Sequence, residues 1–384
     1  MRISKRITSL ILAGCTLLAL FGCVSETEPI SADEEFITYV PETHVSTREQ
    51  VPTEMKETEE KVEEVVVPTL PKYMNPLTGL ECDSALVGKR PIGVMFNNLR
   101  QALPQVGLSN CDIIYEVLAE GGITRFEGLI LDYASLGELG SIRSARPYYV
   151  NIARAYDAIY VHAGGSDAAY SLMSSVKMDH FDGVRGNFKV GDEYLFWRNK
   201  DRLKEGYALE HTMFARGTDV AAAIAKRNVR TDLKDPNVTA FSFDPAFESI
   251  GSGKSGTYVK IPHSTYYVSE FHYDASADAY THSHYKTEHI DGATGEQIKA
   301  TNLFLLYTEQ KVLDNVGRRA VTLTGQGTGI YLNGGEYVDI VWKRAADDAP
   351  FQYYNIDGSE LKVEQGKSYI CLVDTKTKAS VTIS

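Results

Sequence analysis

From Tyr73 onward the chain is cut by glycine and other turn residues into short apolar runs. Residues 91–97 (PIGVMFN), 112–118 (DIIYEVL) and 123–132 (ITRFEGLILD) read as strands. The stretch 141–170 is the densest, with two helix starts and a buried strand in SIRSARPYYVNIARAYDAIYVHAGGSDAAY. Pro147 fits a first helical turn, with Ser144 or Arg146 near its N-cap. Residues 158–161 form a strand. Gly164-Gly165 then leads into a helix from Ser166-Asp167 to about Val176. Strands alternating with helices predict a layered α/β domain over residues 73–234. A further helix is expected from Thr218, taken as its N-cap, to Arg227.

From residue 235 the texture changes. Runs at 239–243, 256–261, 266–273, 301–308, 320–323, 329–332, 337–343 and 368–373 are separated by turns. Among these are Asp291-Gly292, Asn333-Gly334-Gly335 and Asp357-Gly358. This predicts an antiparallel β barrel or sandwich over residues 235–384, making the chain α+β overall. The 23 tyrosines suit a wet sugar-binding groove or simply β structure, and the second reading is preferred.

The N-terminus reads as an export signal, not as fold. Arg2, Lys5 and Arg6 precede an apolar run, residues 7–20, too short to span a bilayer comfortably. Leu20-Phe21-Gly22-Cys23 resembles a bacterial lipobox. That assigns residues 1–22 to a lipoprotein signal peptide and makes Cys23 the lipidated mature N-terminus. Leu12-Ala13-Gly14-Cys15 is a closer literal match but leaves too short an apolar core. A plain secretory signal gives the same extracytoplasmic location. Residues 24–72 carry 13 acids against 4 bases, so 23–72 is expected to be an acidic flexible tether. With net charge −12 and no basic stripe, nucleic acid is excluded as a partner. Cys82, Cys111 and Cys371 form no disulfide framework or metal spacing. They read as small buried residues, with a Cys82–Cys111 bridge left open.

Glu120-Gly121-Gly122-Ile123-Thr124-Arg125-Phe126, Arg143-Ser144-Ala145-Arg146-Pro147-Tyr148 and residues 157–166 (DAIYVHAGGS) resemble the YerB-like family of Gram-positive lipoproteins. Residues 75–80 resemble the start of that family's domain. The glycine-containing segment from Gly325 through Trp342-Lys343 resembles its separate C-terminal domain. Glu210-His211-Thr212 departs from the Pro-His-Asn-like sequence expected in relatives. The resemblance covers roughly residues 75–380. It implies a two-part, membrane-anchored envelope protein and carries no reaction with it.

The candidate site is built on the two helix starts, which offer free N–H groups and partial positive charge. Arg143, Ser144 and Arg146 stand at the first; His162, Gly164, Gly165 and Ser166 lead into the second. Glu120 and Arg125 flank an earlier glycine turn. Trp197, in a long loop over residues 179–202, is a candidate for stacking on a sugar ring. Two planar guanidiniums suit carboxylate or phosphate. The expected function is therefore recognition of an anionic or glycan envelope component, such as a cell-wall polymer, or of an envelope protein. The competing structural reading pairs these arginines with Glu116, Glu120 or Asp157. A hydrolase or transferase using Ser144 or Ser166 with His162 or His211 is the catalytic alternative, and a scaffolding lipoprotein is a third reading. No cofactor is expected. Gly251-Ser252-Gly253-Lys254-Ser255 lacks the first glycine and the helix of a phosphate-binding loop. His282, His284 and His289 make H-x-H-x4-H on what reads as an exposed strand without a fourth ligand, so no metal is assigned there.

Overall fold

The computed structural model describes residues 68–384, apart from Val238 and Ala240. The signal, Cys23 and nearly all of the tether lie outside the described residues. The principal strands are β1 (Ile92–Phe96), β2 (Ile113–Leu118), β3 (Thr124–Ile130), β4 (Ile159–His162), β5 (His180–Asp182), β6 (Tyr258–Pro262), β7 (Val268–Asp274), β8 (Ala279–His284), β9 (Asn302–Thr308), β10 (Gly325–Asn333), β11 (Glu336–Arg344), β12 (Gln352–Asn355) and β13 (Ser368–Asp374). The helices that matter for the site are α1 (Pro147–Ala155) and α2 (Asp167–Ser175), followed by α3 (Lys200–Lys204) and α4 (Gly217–Lys226).

Ten strands make one mixed, open sheet in the order β12-β11-β10-β9-β13-β2-β3-β1-β4-β5. The join between the two sequence halves is β13, which runs parallel to β2 with Cys371 opposite Glu116. Residues on either side of position 234 thus share one sheet. That position marks a change of texture, not an end to strand pairing. Hydrophobic alternation along each strand shows why the sheet is covered on both faces. Val94, Phe96, Leu303, Leu305, Tyr369 and Cys371 face a core shared with Val259, Ile261 and Phe271 of β6 and β7 and with Val220, Ala223 and Ile224 of α4. Met95, Tyr115, Phe304, Ile370 and Leu372 face a second core shared with Tyr149, Ile152 and Ala153 of α1 and Ala169 and Met173 of α2.

The second sheet runs from residues 287–288 through β8, β7 and β6 to residues 382–383, and it too is open. Of the barrel or sandwich expected for residues 235–384, a closed barrel does not form, because β9 to β13 pair into the large sheet instead. Its buried tyrosines, among them Tyr267, Tyr280 and Tyr331, pack within β structure.

Both helices of the 141–170 stretch form where expected. Arg146 is the N-cap of α1, and Pro147 occupies the first turn. Ser166 caps α2 by accepting the Ala169 N–H at 3.2 Å. The cap of α4 is Arg216 and not Thr218, which lies inside the helix. Cys82, Cys111 and Cys371 are all free thiols, and no bridge joins the first two.

Candidate functional site

The segment 141–145 is threaded across the C-terminal ends of β1 and β4. The Asn97 N–H donates to the Ser141 carbonyl at 2.9 Å, and the Arg143 N–H donates to the Met95 carbonyl at 2.9 Å. The Ala163 N–H donates to the Arg143 carbonyl at 2.9 Å, and the Ala145 N–H to the Gly164 carbonyl at 2.9 Å. Two turns well apart in sequence are thereby laid side by side beyond the carboxyl ends of parallel strands, where open sheets usually place ligands.

Glu120 lies at the centre of the charged part. Its Oε2 accepts Arg125 Nη2 at 3.0 Å, and its Oε1 accepts Arg146 Nε. Arg125 Nη1 also donates to the Ser144 carbonyl at 2.9 Å. Arg143 reaches the other way, its Nη1 lying 3.3 Å from both the backbone carbonyl and the carboxylate of Glu210. Arg319 enters from the second half of the chain and donates through Nε to the Ala119 carbonyl at 3.2 Å. Four guanidiniums thus face two carboxylates. The buried Nε atoms of Arg125 and Arg143 have no acceptor. Burial, reinforced by Arg146, pushes Arg125 down to about 10. Burial would raise the Glu120 carboxyl, but Arg146 and Arg125 outweigh it and hold the group below its ordinary value.

The glycine part is organised by Asp182. Its Oδ1 accepts the Gly164 N–H at 2.7 Å and the Val184 N–H at 2.8 Å, and its Oδ2 accepts the Tyr170 hydroxyl at 2.6 Å. Gly164 sits at φ +78°, which a side chain resists. His162 is fully buried. Its Nδ1 donates to the Gly164 carbonyl at 2.7 Å, which leaves Nε2 to accept from His180 Nδ1 at 3.0 Å. Burial pushes it down to about 4, so it is a neutral orienting residue beneath the turn.

The structure therefore brings Glu120, Arg125, Arg143, Ser144 and Arg146 together, with Gly164, Gly165 and Ser166 alongside. It does not bring in Trp197, whose ring is covered by the Arg216 guanidinium at 4.4 Å. The exposed aromatic beside the cluster is Tyr266, 79% accessible. A side chain at Gly122 would come within 3.1 Å of its ring. The serines are committed elsewhere: the Ser144 hydroxyl donates to the Ala163 carbonyl at 3.0 Å, and Ser166 is a helix cap. His211 Nδ1 accepts the Asn97 side-chain amide at 2.9 Å. Among the described residues no serine–histidine hydrogen bond forms at this site. A groove of about 190 Å³ lined by Leu77, Pro91, Tyr156 and Leu233 lies at the opposite ends of β1 and β4 and shares no residue with the arginines.

Tyr266, Arg319 and Asp182 escaped the sequence reading. The first two come from the far half of the chain. Asp182 matters only because β4 pairs with β5, with His162 opposite it. A carboxylate between Phe181 and Gly183 was the available signal, and it is a weak one.

Comparison with known proteins gives the same organisation. Residues 77–230 match the N-terminal domain of a protein family of unknown function, DUF3048, and residues 258–370 match its C-terminal domain. The chain is 29% identical over 341 residues to YerB of Bacillus subtilis (strain 168), a protein named as a candidate lipoprotein, covering 83% of this chain and 92% of YerB. A crystal structure of YerB from Bacillus subtilis covers 82% of this chain and 100% of its own, at 26% identity and a TM-score of 0.70. The chain belongs to the YerB-like, two-domain DUF3048 family.

Proposed function

We propose that this protein is a membrane-anchored extracytoplasmic lipoprotein whose arginine cluster recognises a phosphate or carboxylate of a cell-envelope component. The observation that carries this reading is the donor excess around Glu120: four guanidiniums with two carboxylates, and two buried Nε atoms without acceptors. A purely structural ion-pair network would close its donors more completely. Glu120 then acts as an internal anion that offsets part of the charge of Arg125 and Arg146, and an incoming anion competes with it for their donors. Tyr266 supplies an exposed ring for stacking on a sugar. Anchoring through Cys23 is supported by the lipobox-like sequence and by the candidate-lipoprotein relative.

Purified envelope polymers should be retained by the protein and released when Arg143 and Arg146 are both replaced by alanine. Unchanged retention by that double variant sinks the binding role. For the anchor, Cys23→Ala should abolish incorporation of labelled fatty acid and release the protein from membranes. Continued labelling would move the anchor to another residue.

A further inference from the structure

We propose that His282, His284 and His289 form a buried three-histidine site for a divalent transition-metal ion, zinc fitting best, that ties His289 to the β8 strand.

Period-two alternation puts His282 and His284 on one face of β8, and the turn at residues 285–286, with the paired strand 287–288, returns His289 to them. All three are essentially inaccessible, at 0, 1 and 1% exposure. One ring nitrogen from each lies within 4.8 Å of the others. The strand read from sequence as exposed is buried because Phe126, Phe271 and Tyr369 pack their rings on His282. Nothing local to residues 280–285 signals that cover.

Hydrogen bonding fixes which atoms face each other. The Asn97 carbonyl can only accept, so Gln105 Nε2 donates to it at 2.8 Å. Gln105 Oε1 therefore accepts His289 Nε2–H at 2.8 Å. His289 Nδ1 is then a bare lone pair, and it lies 2.7 Å from His282 Nδ1. As a network of protons alone, His282 must donate from Nδ1. That leaves its Nε2 as a second bare lone pair, fully buried and without a partner. A metal ion takes the Nδ1 lone pairs of both rings once the His282 proton moves from Nδ1 to its unpartnered Nε2.

Zinc–nitrogen bonds of about 2.0–2.1 Å in a tetrahedral site separate ligand nitrogens by roughly 3.3 Å. The Nδ1 pair needs to open by only about 0.6 Å to reach that spacing. His289 already has the outer hydrogen bond, to Gln105, that metal-bound histidines normally carry. Three imidazoles without thiolate or carboxylate favour zinc or a neighbouring late first-row ion over magnesium or calcium. Compensating charge is one side chain away. Tyr369 packs against His282 and donates its hydroxyl to Glu116 Oε2 at 2.9 Å. Glu116 itself has no arginine or lysine salt-bridge partner among the described residues.

A second buried group, Glu116, His263 and Cys371, is also close-set, but it is a poorer ligand set. Glu116 is already filled by the hydroxyls of Thr124, Ser269 and Tyr369 at 2.6, 2.8 and 2.9 Å. Burial, then Glu116, holds the Cys371 thiol well up, against the thiolate that metal binding requires.

Because the site is enclosed, the ion must enter during folding. The test uses the full-length mature protein, purified without an affinity histidine tag, unfolded, and refolded with excess zinc or cobalt before desalting. Elemental analysis should find close to one equivalent of zinc. The cobalt form should show visible d–d bands of Co²⁺ bound by imidazole nitrogens. His289→Phe, chosen to keep ring volume, should lose both. Less than about a tenth of an equivalent in the refolded wild-type chain overturns the proposal. So does a folded His289→Phe protein that keeps its full metal content. If that variant does not fold, the wild-type stoichiometry and cobalt spectrum decide alone.

Discussion

Replacing Glu127 by glutamine should make the protein more stable at neutral pH, and by an amount that grows with pH. Glu127 lies on β3, opposite Met95 of β1 and Tyr115 of β2, at the centre of the large sheet. Both carboxyl oxygens are buried without a hydrogen-bond partner. Burial raises this group well above its ordinary value of 4.5, with Arg344 offsetting only part of the effect. The folded chain therefore keeps a proton that the unfolded chain releases. Stability contributed by the neutral form is fully present below 4.5 and declines as pH rises toward the folded value. One proton gives a slope approaching 1.4 kcal/mol per pH unit. Between pH 4.5 and 6.5 the integrated loss is about 2.3 kcal/mol while the folded carboxyl stays protonated. The glutamine side chain has the same shape, carries no ionisable proton, and removes this dependence. Urea unfolding of wild type and Glu127→Gln at matched pH values, with the slopes of the transitions compared, should show stabilities that diverge by that amount. Stabilities that stay parallel over this interval would refute the assignment of a protonated buried Glu127.

Asp182→Asn should cost about 1.5–3 kcal/mol, since three hydrogen bonds to a charged acceptor are weakened; an unfolding midpoint unchanged in urea would remove Asp182 as the organiser of the glycine turn. Gly164→Ala should destabilise by roughly 1–2 kcal/mol from the left-handed backbone alone. Its Cβ would also lie 3.3 Å from the Ser144 hydroxyl, and calorimetry reads the total. Iodoacetamide should label half-buried Cys82 in the native protein and spare buried Cys111 and Cys371. Protection of all three thiols would point to a bridge involving Cys82.

Individual elements were legible because their signals are local. Ile92–Phe96 is a continuous apolar run and Ile113–Leu118 is one interrupted only by Glu116, as expected of strands buried on both faces. Pro147 and Ser166 announce the two helices by chemistry that acts within one turn. What could not be read was pairing. Nothing in residues 368–374 says that they lie beside residues 113–118, yet that single placement draws the second half into the first half's sheet and prevents a closed barrel. The site divides in the same way. Glu120, Arg125, Arg143 and Arg146 were visible as a charged set near glycine turns, with Glu120 already named as the structural partner. Arg319 and Tyr266 complete the cluster only through tertiary contact. Trp197 is covered by Arg216 because their two short strands pair, which no signal around residue 197 announces. The histidines show the same limit: period two placed His282 and His284 together, but burial of that face depends on Phe126, Phe271 and Tyr369.

Whether the arginines around Glu120 have binding capacity to spare decides between a recognition site and an internal ion-pair network. Isothermal titration of the mature protein with inorganic phosphate and with galacturonate, at low ionic strength, measures that capacity directly. The wild-type chain should bind at least one of these anions. Arg143→Ala combined with Arg146→Ala should abolish the heat. Glu120→Gln, which keeps the side chain's size but removes the internal competing charge, should bind more tightly. Absence of binding by the wild type and by Glu120→Gln alike, or equal binding by the double arginine variant, would contradict an anion-recognition site and leave the cluster as an internal ion-pair network.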